Sequence, residues 1–241
     1  MPCVPAGRTR EGVDVRPAVL LCLVPLVAGA HTLLAQRPNP ADAPATAIRP
    51  AIGAGLGVAA INATDVVNIV NSTPGAVEQV SSFKAAAEFF GYVSVPLNAS
   101  WLIKADYGYV LASYSVAGQF GSAEYTLSAH LPSLVVQYVL HDAGLYCLKA
   151  GLGGGYHWGS LWEKFSTLDT EYKASGAGFV MELEGNTALG ESLYMYLGVQ
   201  AQWELMGSLR DAGGQSPGVN IEDPSLHWFG AGARLGFSYL F

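Results

Sequence analysis

Apolar and polar residues alternate with a period of two along the C-terminal half of the chain. The clearest segment, residues 191–205, places seven apolar residues on one face: Leu193, Met195, Leu197, Val199, Ala201, Trp203 and Leu205. The other face carries Ser192, Tyr194, Tyr196, Gly198, Gln200, Gln202 and Glu204. Successive side chains of a strand point to opposite faces, whereas at helical spacing these apolar residues would surround the axis. The segment therefore predicts a β-strand with one apolar face and one polar face.

The same alternation recurs along the chain and predicts eight strands. Their approximate limits are 51–61, 83–96, 100–115, 123–140, 144–158, 173–185, 191–206 and 226–241. Two of these segments are less regular. Within 123–140 the phase is hard to follow near Pro132, and a proline inside a strand predicts a bulge that would reset the alternation. Residues 83–95 carry apolar side chains on both faces, so the first half of that segment fits a short helix as well as a strand.

The connections between these segments alternate between short and long. The second, fourth and sixth gaps are short and rich in turn residues, reading LNA, HDAG and GNTALGE. The third gap, AGQFGSA, is intermediate, and the first, fifth and seventh are long loops at 62–82, 159–172 and 207–225. Membrane barrels have short periplasmic turns and longer outer loops, with both termini in the periplasm when the strand number is even. We therefore predict that residues 50–241 form an all-β domain, an eight-stranded antiparallel up-and-down transmembrane β-barrel.

The N-terminal segment has the features of an export signal. Arginines precede an apolar stretch that ends in Ala28-Gly29-Ala30. A basic start, a short apolar middle and small residues at the end are typical of a cleaved signal peptide. We predict a signal peptide over residues 1–30, with cleavage after Ala30 or as late as residue 35. Residues 31–49, rich in Pro and Ala, would then form a periplasmic lead-in to the barrel.

The composition narrows the class of protein. Charged residues make up only 13% of the chain, about half the share in a typical soluble domain, and hydrophobic residues make up 51%. The net charge is −7, and no cluster of Lys and Arg suggests a nucleic-acid partner. Cys3 and Cys22 lie in the export segment, so Cys147 has no internal disulfide partner in the mature chain. We predict no catalytic residue, no metal site and no cofactor.

Ionic side chains concentrate on the predicted inward face of the strands. The predicted interior network comprises Lys104, Asp106, Glu124, Lys149, Glu182, Glu184, Glu204 and Arg234, with Lys84 and Glu88 on the same face. An Arg or Lys facing lipid at the bilayer midplane costs roughly 2–4 kcal/mol, so these charges are expected inside. Inside a narrow barrel they must pair, because an unpaired buried charge is unfavourable. We interpret them as a structural salt-bridge network; the alternative is a hydrophilic pathway lined by the same charges.

Large apolar residues alternate at the end of the chain, where the sequence ARLGFSYLF contains Leu235, Phe237, Tyr239 and Phe241. This ending resembles the C-terminal signature by which the barrel-insertion machinery recognises bacterial outer-membrane proteins. With the export signal and the eight strands, it makes the mature chain similar to the small barrels of the OmpA-like transmembrane-domain, OmpX-like and OmpW-like families. The resemblance implies export through the inner membrane, a location in the bacterial outer membrane, and contact with outer-membrane lipid and lipopolysaccharide.

Four functions are compatible with these features. We expect a non-enzymatic barrel with an envelope-structural or surface-interaction role, in which an extracellular ligand would bind loops 62–82, 159–172 or 207–225. The resemblance to OmpW-like barrels implies the main alternative, a narrow channel or carrier for small or apolar solutes. A lipid-modifying barrel enzyme is a third interpretation. It rests on Ser128, His130 and Ser133, which are close in sequence, and on His157, which lies near the end of a neighbouring predicted strand. A soluble secreted calyx is the fourth.

Overall fold

The computed structural model of the protein describes residues 48–73, 79–81, 83–118, 121–165, 168–217 and 223–241. The predicted signal peptide and nearly all of the predicted lead-in lie outside these residues. The described chain contains one helix, α1 (Thr64–Asn71), and eight strands. The strands are β1 (Ala51–Asn62), β2 (Phe83–Pro96), β3 (Trp101–Gly118), β4 (Gly121–Asp142), β5 (Tyr146–Phe165), β6 (Leu168–Ala188), β7 (Leu193–Ser208) and β8 (Ser225–Leu240).

The eight strands form a closed antiparallel barrel in which each strand pairs with its neighbours in the sequence. The barrel closes between β1 and β8, which pair from Ala51 opposite Leu240 to Asn62 opposite Phe229. We call the end with the connections 97–100, 143–145 and 189–192 the turn end, and the end that carries α1 the helix end. The predicted eight-stranded up-and-down barrel is confirmed. Within the described residues, no helix is both long enough and apolar enough to cross a membrane.

The predicted apolar faces of the strands point outward and form a continuous surface around the barrel. Outward and buried residues alternate along β7, and Leu197 is 53% exposed, as are Leu56 at 60% and Phe237 at 58%. This apolar belt includes Ile52, Leu56, Val58, Phe89, Val93, Leu134, Val136, Leu152, Phe179, Met181, Leu183, Leu197, Val199, Leu235 and Phe237. Monomeric soluble proteins rarely expose a contiguous apolar surface of this extent.

Strand β4 keeps one phase across Pro132. Residues on both sides of this proline pair with β5 in the same register, and the register shifts only between Val139 and His141. The predicted reset of the alternation at Pro132 is therefore wrong. Pro132 lacks the N–H that a ladder needs, so it interrupts pairing locally without adding a residue. Gly155 lies opposite the Pro132 carbonyl, where any Cβ would collide with that oxygen.

Strands β3 to β6 extend further toward the helix end than their sequences suggest. β5 reaches Phe165 and β6 begins at Leu168, so the predicted long loop over 159–172 is wrong. Pairing continues through this region, with Leu161 directly opposite Tyr172. Both of these side chains are buried in one apolar cluster inside the barrel. The extended part of the sheet is stabilised because its inner face packs on an apolar core, as is common for antiparallel sheets.

The helix lies earlier than the sequence suggests. Residues 83–96 are strand from their first residue, and α1 instead occupies part of the predicted loop 62–82. Four of its side chains are buried: Val66, Val67, Ile69 and Val70. They pack in the same cluster as apolar residues from the strands, including Tyr114, Leu127, Leu161 and Trp228. The helix end of the interior is therefore an apolar core, and α1 is part of it.

Candidate functional site

A compact ionic cluster fills the interior toward the turn end. Lys104 Nζ lies 2.6 Å from Glu182 Oε2 and 3.1 Å from Glu184 Oε2. Lys149 Nζ lies 2.8 Å from the other oxygen of Glu184. The Gln137 amide donates to both carboxylates, at 2.7 Å in each case. Two lysines therefore compensate two carboxylates, and strands on opposite sides of the barrel are joined through its centre.

A second ionic cluster is centred on Arg234. Its guanidinium lies 2.6 Å from Glu88 and 2.5 Å from Asp106, which places one cation between two carboxylates. The Gln200 amide also donates to Glu88, at 2.9 and 3.1 Å. The guanidinium carbon lies 4.8 Å from the ring centroid of Phe90, within the range of a cation–π contact. Charge and aromatic surface thus occupy this level of the interior together.

Aromatic rings fill the space between the two ionic clusters. The rings of Tyr92 and Tyr196 have centroids 5.6 Å apart, and Lys104 Nζ lies 5.1 Å from the centroid of Tyr92. Each tyrosine ring lies close to an inward glycine, Gly53 beside Tyr92 and Gly198 beside Tyr196. A Cβ at either glycine would collide with the ring. The glycines therefore give the rings room to cross the interior.

A third polar group lies in the interior, formed by Ser133, His157 and Glu204. His157 Nδ1 is 2.5 Å from Glu204 Oε2, and His157 Nε2 is 3.1 Å from the hydroxyl of Ser133. The order hydroxyl, imidazole, carboxylate is the order that acyl-transfer triads use. Ser128 and His130, by contrast, lie on the outward phase of β4. Of the four residues considered for a lipid-modifying site, therefore, only Ser133 and His157 meet.

The structure places seven of the eight predicted network residues in the interior, where each is buried: Lys104, Asp106, Lys149, Glu182, Glu184, Glu204 and Arg234. Glu124 is different, because it is exposed on the outward face of β4 opposite Lys164 of β5. The prediction that Glu124 faces the interior is wrong. Strand β4 keeps one phase through Pro132, and every even-numbered residue from 122 to 138 points outward.

Two interior partners were not singled out by the sequence. Gln137 bridges Glu182 and Glu184, and Asn186 donates to Glu184 at 2.6 Å. The odd-numbered phase of β4, followed without interruption from Tyr125, would have placed Gln137 inside. Asn186 lies just beyond the predicted end of its strand. Among the described residues, no three His, Cys, Asp or Glu side chains gather in a manner that suits a metal ion.

Hydrogen bonds hold α1 at both of its ends. Asp65 Oδ2 accepts from the backbone N–H and the hydroxyl of Ser225, at 2.9 and 2.7 Å. Beyond the other end, the hydroxyls of Thr73 and Tyr125 lie 2.8 Å apart, and Tyr125 donates to Glu163 at 2.9 Å. We call α1 with these contacts the plug.

The four residues of the predicted insertion signature share one face of β8. Leu235, Phe237, Tyr239 and Phe241 all point outward, and Phe241 is 67% exposed at the turn end. The backbone N–H of Phe241 donates to the carbonyl of Pro50 at 3.0 Å, which joins the last residue to the start of the barrel. The signature is therefore a continuous exposed apolar row at the closing seam.

Comparison with known proteins finds solved structures with a similar fold but no match by sequence. No protein-family model matches the chain, and no curated protein matches it. Neisserial surface protein A is similar in structure, with a TM-score of 0.50 and 10% identity over 80% of this chain and 97% of that one. The attachment invasion locus protein Ail of Yersinia pestis has a TM-score of 0.48, with 6% identity over 80% of this chain and 98% of its own.

A third solved structure, the outer membrane protein OprG of Pseudomonas aeruginosa, has a TM-score of 0.46 and 11% identity over 80% of this chain and 96% of its own. The similarity to Neisserial surface protein A, at this low identity, shows a common fold and nothing about activity. The predicted resemblance to the small eight-stranded outer-membrane barrels is confirmed at the level of the fold.

Proposed function

We propose that this protein is an integral barrel of the bacterial outer membrane with a non-enzymatic, envelope-structural or surface-interaction role. The observation that carries the proposal is the pairing of an outward apolar belt with an interior occupied by side chains at successive levels. Those levels are the two ionic clusters, the tyrosine layer between them and the plug at the helix end. The apolar outer surface would hold the barrel in the membrane, and the inward side chains fill its interior.

The height of the apolar belt supports membrane insertion. Its row on β7 runs from Leu193 to Leu205, a path of about 40 Å at ~3.3 Å per residue. With a strand tilt of roughly 40°, as in other membrane barrels, the row is about 30 Å high. That height matches the hydrocarbon thickness of a bilayer, about 30 Å.

The helix end is proposed to face the outside of the cell. Beyond the belt, the outward faces of β4 to β6 become polar and charged, with Glu124, Lys164, Glu171 and Lys173 in this region. The two longest connections, 63–82 and 209–224, lie at the helix end, whereas the connections at the turn end have three or four residues; in membrane barrels the longer loops face outward and the short turns face the periplasm. The extended sheet of β3 to β6 is then the surface that the protein presents outside the membrane.

The proposal is tested with the purified chain refolded in detergent and reconstituted into planar bilayers. We expect a folded band whose gel mobility changes on boiling and no stable ion conductance after insertion. Stable conductance by the unmodified protein would favour the narrow-channel alternative. A chain that stays in solution as a folded monomer without detergent would contradict membrane insertion.

A further inference from the structure

A polar groove lies on the outer face of the barrel, directly beyond the helix-end edge of the apolar belt. Its volume is about 500 Å³, and it crosses strands β4 to β7. Its side chains include His130, Trp158, Ser160, Glu171, Lys173 and Ser175. We call it the headgroup groove. Strand periodicity predicts no common site for these residues, and His130 is a candidate only for the lipid-modifying site.

The headgroup groove combines a cation, a carboxylate, hydroxyls and a flat aromatic wall. Lys173 Nζ lies 3.0 Å from Glu171 Oε2, and the lysine side chain is 70% exposed while the glutamate side chain is 26% exposed. The more enclosed carboxylate therefore holds the ammonium group at the groove without burying it. An exposed ammonium suits a phosphate, and a carboxylate suits the hydroxyls of a sugar.

The aromatic wall consists of His130 and Trp158, and contacts with neighbouring side chains fix its position. His130 stacks on Trp158, with centroids 5.5 Å apart and planes at 20°. The other side of His130 is fixed by a hydrogen bond of 2.6 Å between its Nδ1 and the hydroxyl of Tyr107. Trp158 itself is 45% exposed. Indole rings in this position mark the boundary between acyl chains and headgroups in membrane proteins.

Two hydroxyls of the groove are also held in place. Ser175 Oγ lies 2.7 Å from the Tyr156 hydroxyl, and Ser160 Oγ lies 3.0 Å from the Ser128 hydroxyl. Each serine oxygen retains the capacity for a further hydrogen bond, because a hydroxyl both donates and accepts. The groove therefore presents fixed polar groups at the level where lipid headgroups lie.

An apolar groove continues the same surface below the headgroup groove. It has a volume of about 750 Å³ and crosses strands β3 to β7, and its lining includes the small residues Ala150 and Ala201 as well as Val136 and Leu183. From Leu152 in this groove to Ser160 in the upper one, the path along β5 is about 26 Å, or roughly 20 Å of height after strand tilt. One leaflet contributes about 15 Å of hydrocarbon and about 5–7 Å of headgroup region, so one lipid reaches from one groove to the other.

We propose that the headgroup groove binds the phosphorylated sugar headgroup of an outer-leaflet glycolipid. Lys173 contacts the phosphate, Glu171 accepts from a sugar hydroxyl, Trp158 packs against the sugar ring, and the acyl chains follow the apolar surface below. This inference rests on the proposed membrane position, since a barrel in water would present the groove to solvent.

The test uses the full barrel in detergent, titrated with a bis-phosphorylated diglucosamine lipid and followed by native mass spectrometry. The comparison ligands are the same lipid without phosphates and phosphatidylglycerol. We expect Lys173→Ala to weaken binding of the phosphorylated glycolipid by about tenfold, the loss expected for one charge-assisted hydrogen bond. Lys164→Ala is the matched control, because Lys164 is an exposed lysine on the outward face of β5 beyond the groove.

Three results would overturn the inference: unchanged binding by Lys173→Ala, equal loss in Lys164→Ala, or equal binding of phosphatidylglycerol and the glycolipid. Gel mobility before and after boiling and insertion into liposomes are measured for every variant. A wild-type chain that does not insert contradicts the proposed function itself. A chain that inserts normally but shows no preference for the phosphorylated glycolipid contradicts only the groove.

Discussion

Asp65 and Ser225 are joined by two hydrogen bonds, because one carboxylate oxygen accepts from both the backbone N–H and the hydroxyl of the serine. Asp65 lies in the first turn of α1, and Ser225 is the first residue of β8. The contact therefore fixes the plug to the strand that closes the barrel. A negative side chain in the first turn also interacts favourably with the helix dipole.

Loosening both ends of the plug should open the helix end. In the double variant Asp65→Ala, Thr73→Val, the contacts to Ser225 and Tyr125 are lost, which should lower the free energy of unfolding by about 2–4 kcal/mol. Planar-bilayer recordings should then show brief openings that the wild type lacks. Asn68→Ala, at an exposed position of the same helix, is the control and should remain silent. If the double variant also shows no channel openings, the plug does not close the barrel.

Removing Lys104 should destabilise the barrel more than removing any exposed lysine. Lys104→Met leaves Glu182 and Glu184 with less positive charge in a buried site, and such a loss typically costs about 3–5 kcal/mol. Urea unfolding followed by tryptophan fluorescence in detergent measures the effect, with Lys164→Met as the control. The double variant Lys104→Met, Glu182→Gln removes the uncompensated charge and should recover part of the loss. If both lysine variants are equally stable, the ionic cluster is not structural.

Ser133 should not react as a nucleophile. Its hydrogen bond to His157 resembles that of an acyl-transfer site, but Ser133 lies on the inward phase of β4, in an interior closed at the helix end by the plug. A fluorophosphonate probe should therefore leave the folded barrel unlabelled. The comparison is with Ser133→Ala. Labelling of the wild type that disappears in this variant would contradict the non-enzymatic role.

The C-terminal row should matter for assembly in cells more than for stability. Phe241→Ala removes the last member of the exposed row on β8, while its backbone bond to Pro50 can still form. We expect a reduced amount of folded barrel in the outer membrane of the host and unchanged refolding in detergent micelles. Phe229→Ala, an outward residue near the other end of the same strand, is the control. Equal effects of the two changes would indicate a loss of lipid contact rather than of recognition.

The strands that the sequence predicted best are those whose two faces differ in polarity along their whole length. On β7, the outward row is apolar from Leu193 to Leu205, while the inward row includes Gln200 and Glu204. On β4 the polarity of both faces changes partway along the strand. Between Pro132 and the turn end the outward face of β4 is apolar. Between Pro132 and the helix end the same face carries Ser128 and Glu124.

The inward face of β4 changes in the opposite sense. Gln137 faces the ionic cluster, whereas Leu131 and Leu127 face the apolar core around the plug. A strand whose outer face changes from apolar to polar while its inner face changes from polar to apolar exchanges the polarity of its two faces without any change of backbone phase. Read as a sequence, that exchange looks like a shift by one residue, which explains the wrong placement of Glu124. The same exchange on β5 and β6 explains why residues 159–172 read as a loop.

Individual contacts in the interior could not be predicted from periodicity. Alternation places Lys104 and Glu182 on inward faces, but it does not show that they meet. They lie on β3 and β6, which are not neighbours in the sheet, so their contact depends on the stagger of all the strands between them. The position of the headgroup groove depends on the same stagger, because its residues come from four strands.

The attachment of α1 to β8 also sets an order of assembly. The helix is encoded directly after the first strand, yet Ser225, Leu226 and Trp228, which complete its surroundings, belong to the last one. Until β8 is in place, the four buried valine and isoleucine side chains of α1 therefore lack their contacts with Leu226 and Trp228. The surroundings of the helix are therefore complete only once β8 has paired with β1, which makes the packing of the helix end a consequence of barrel closure.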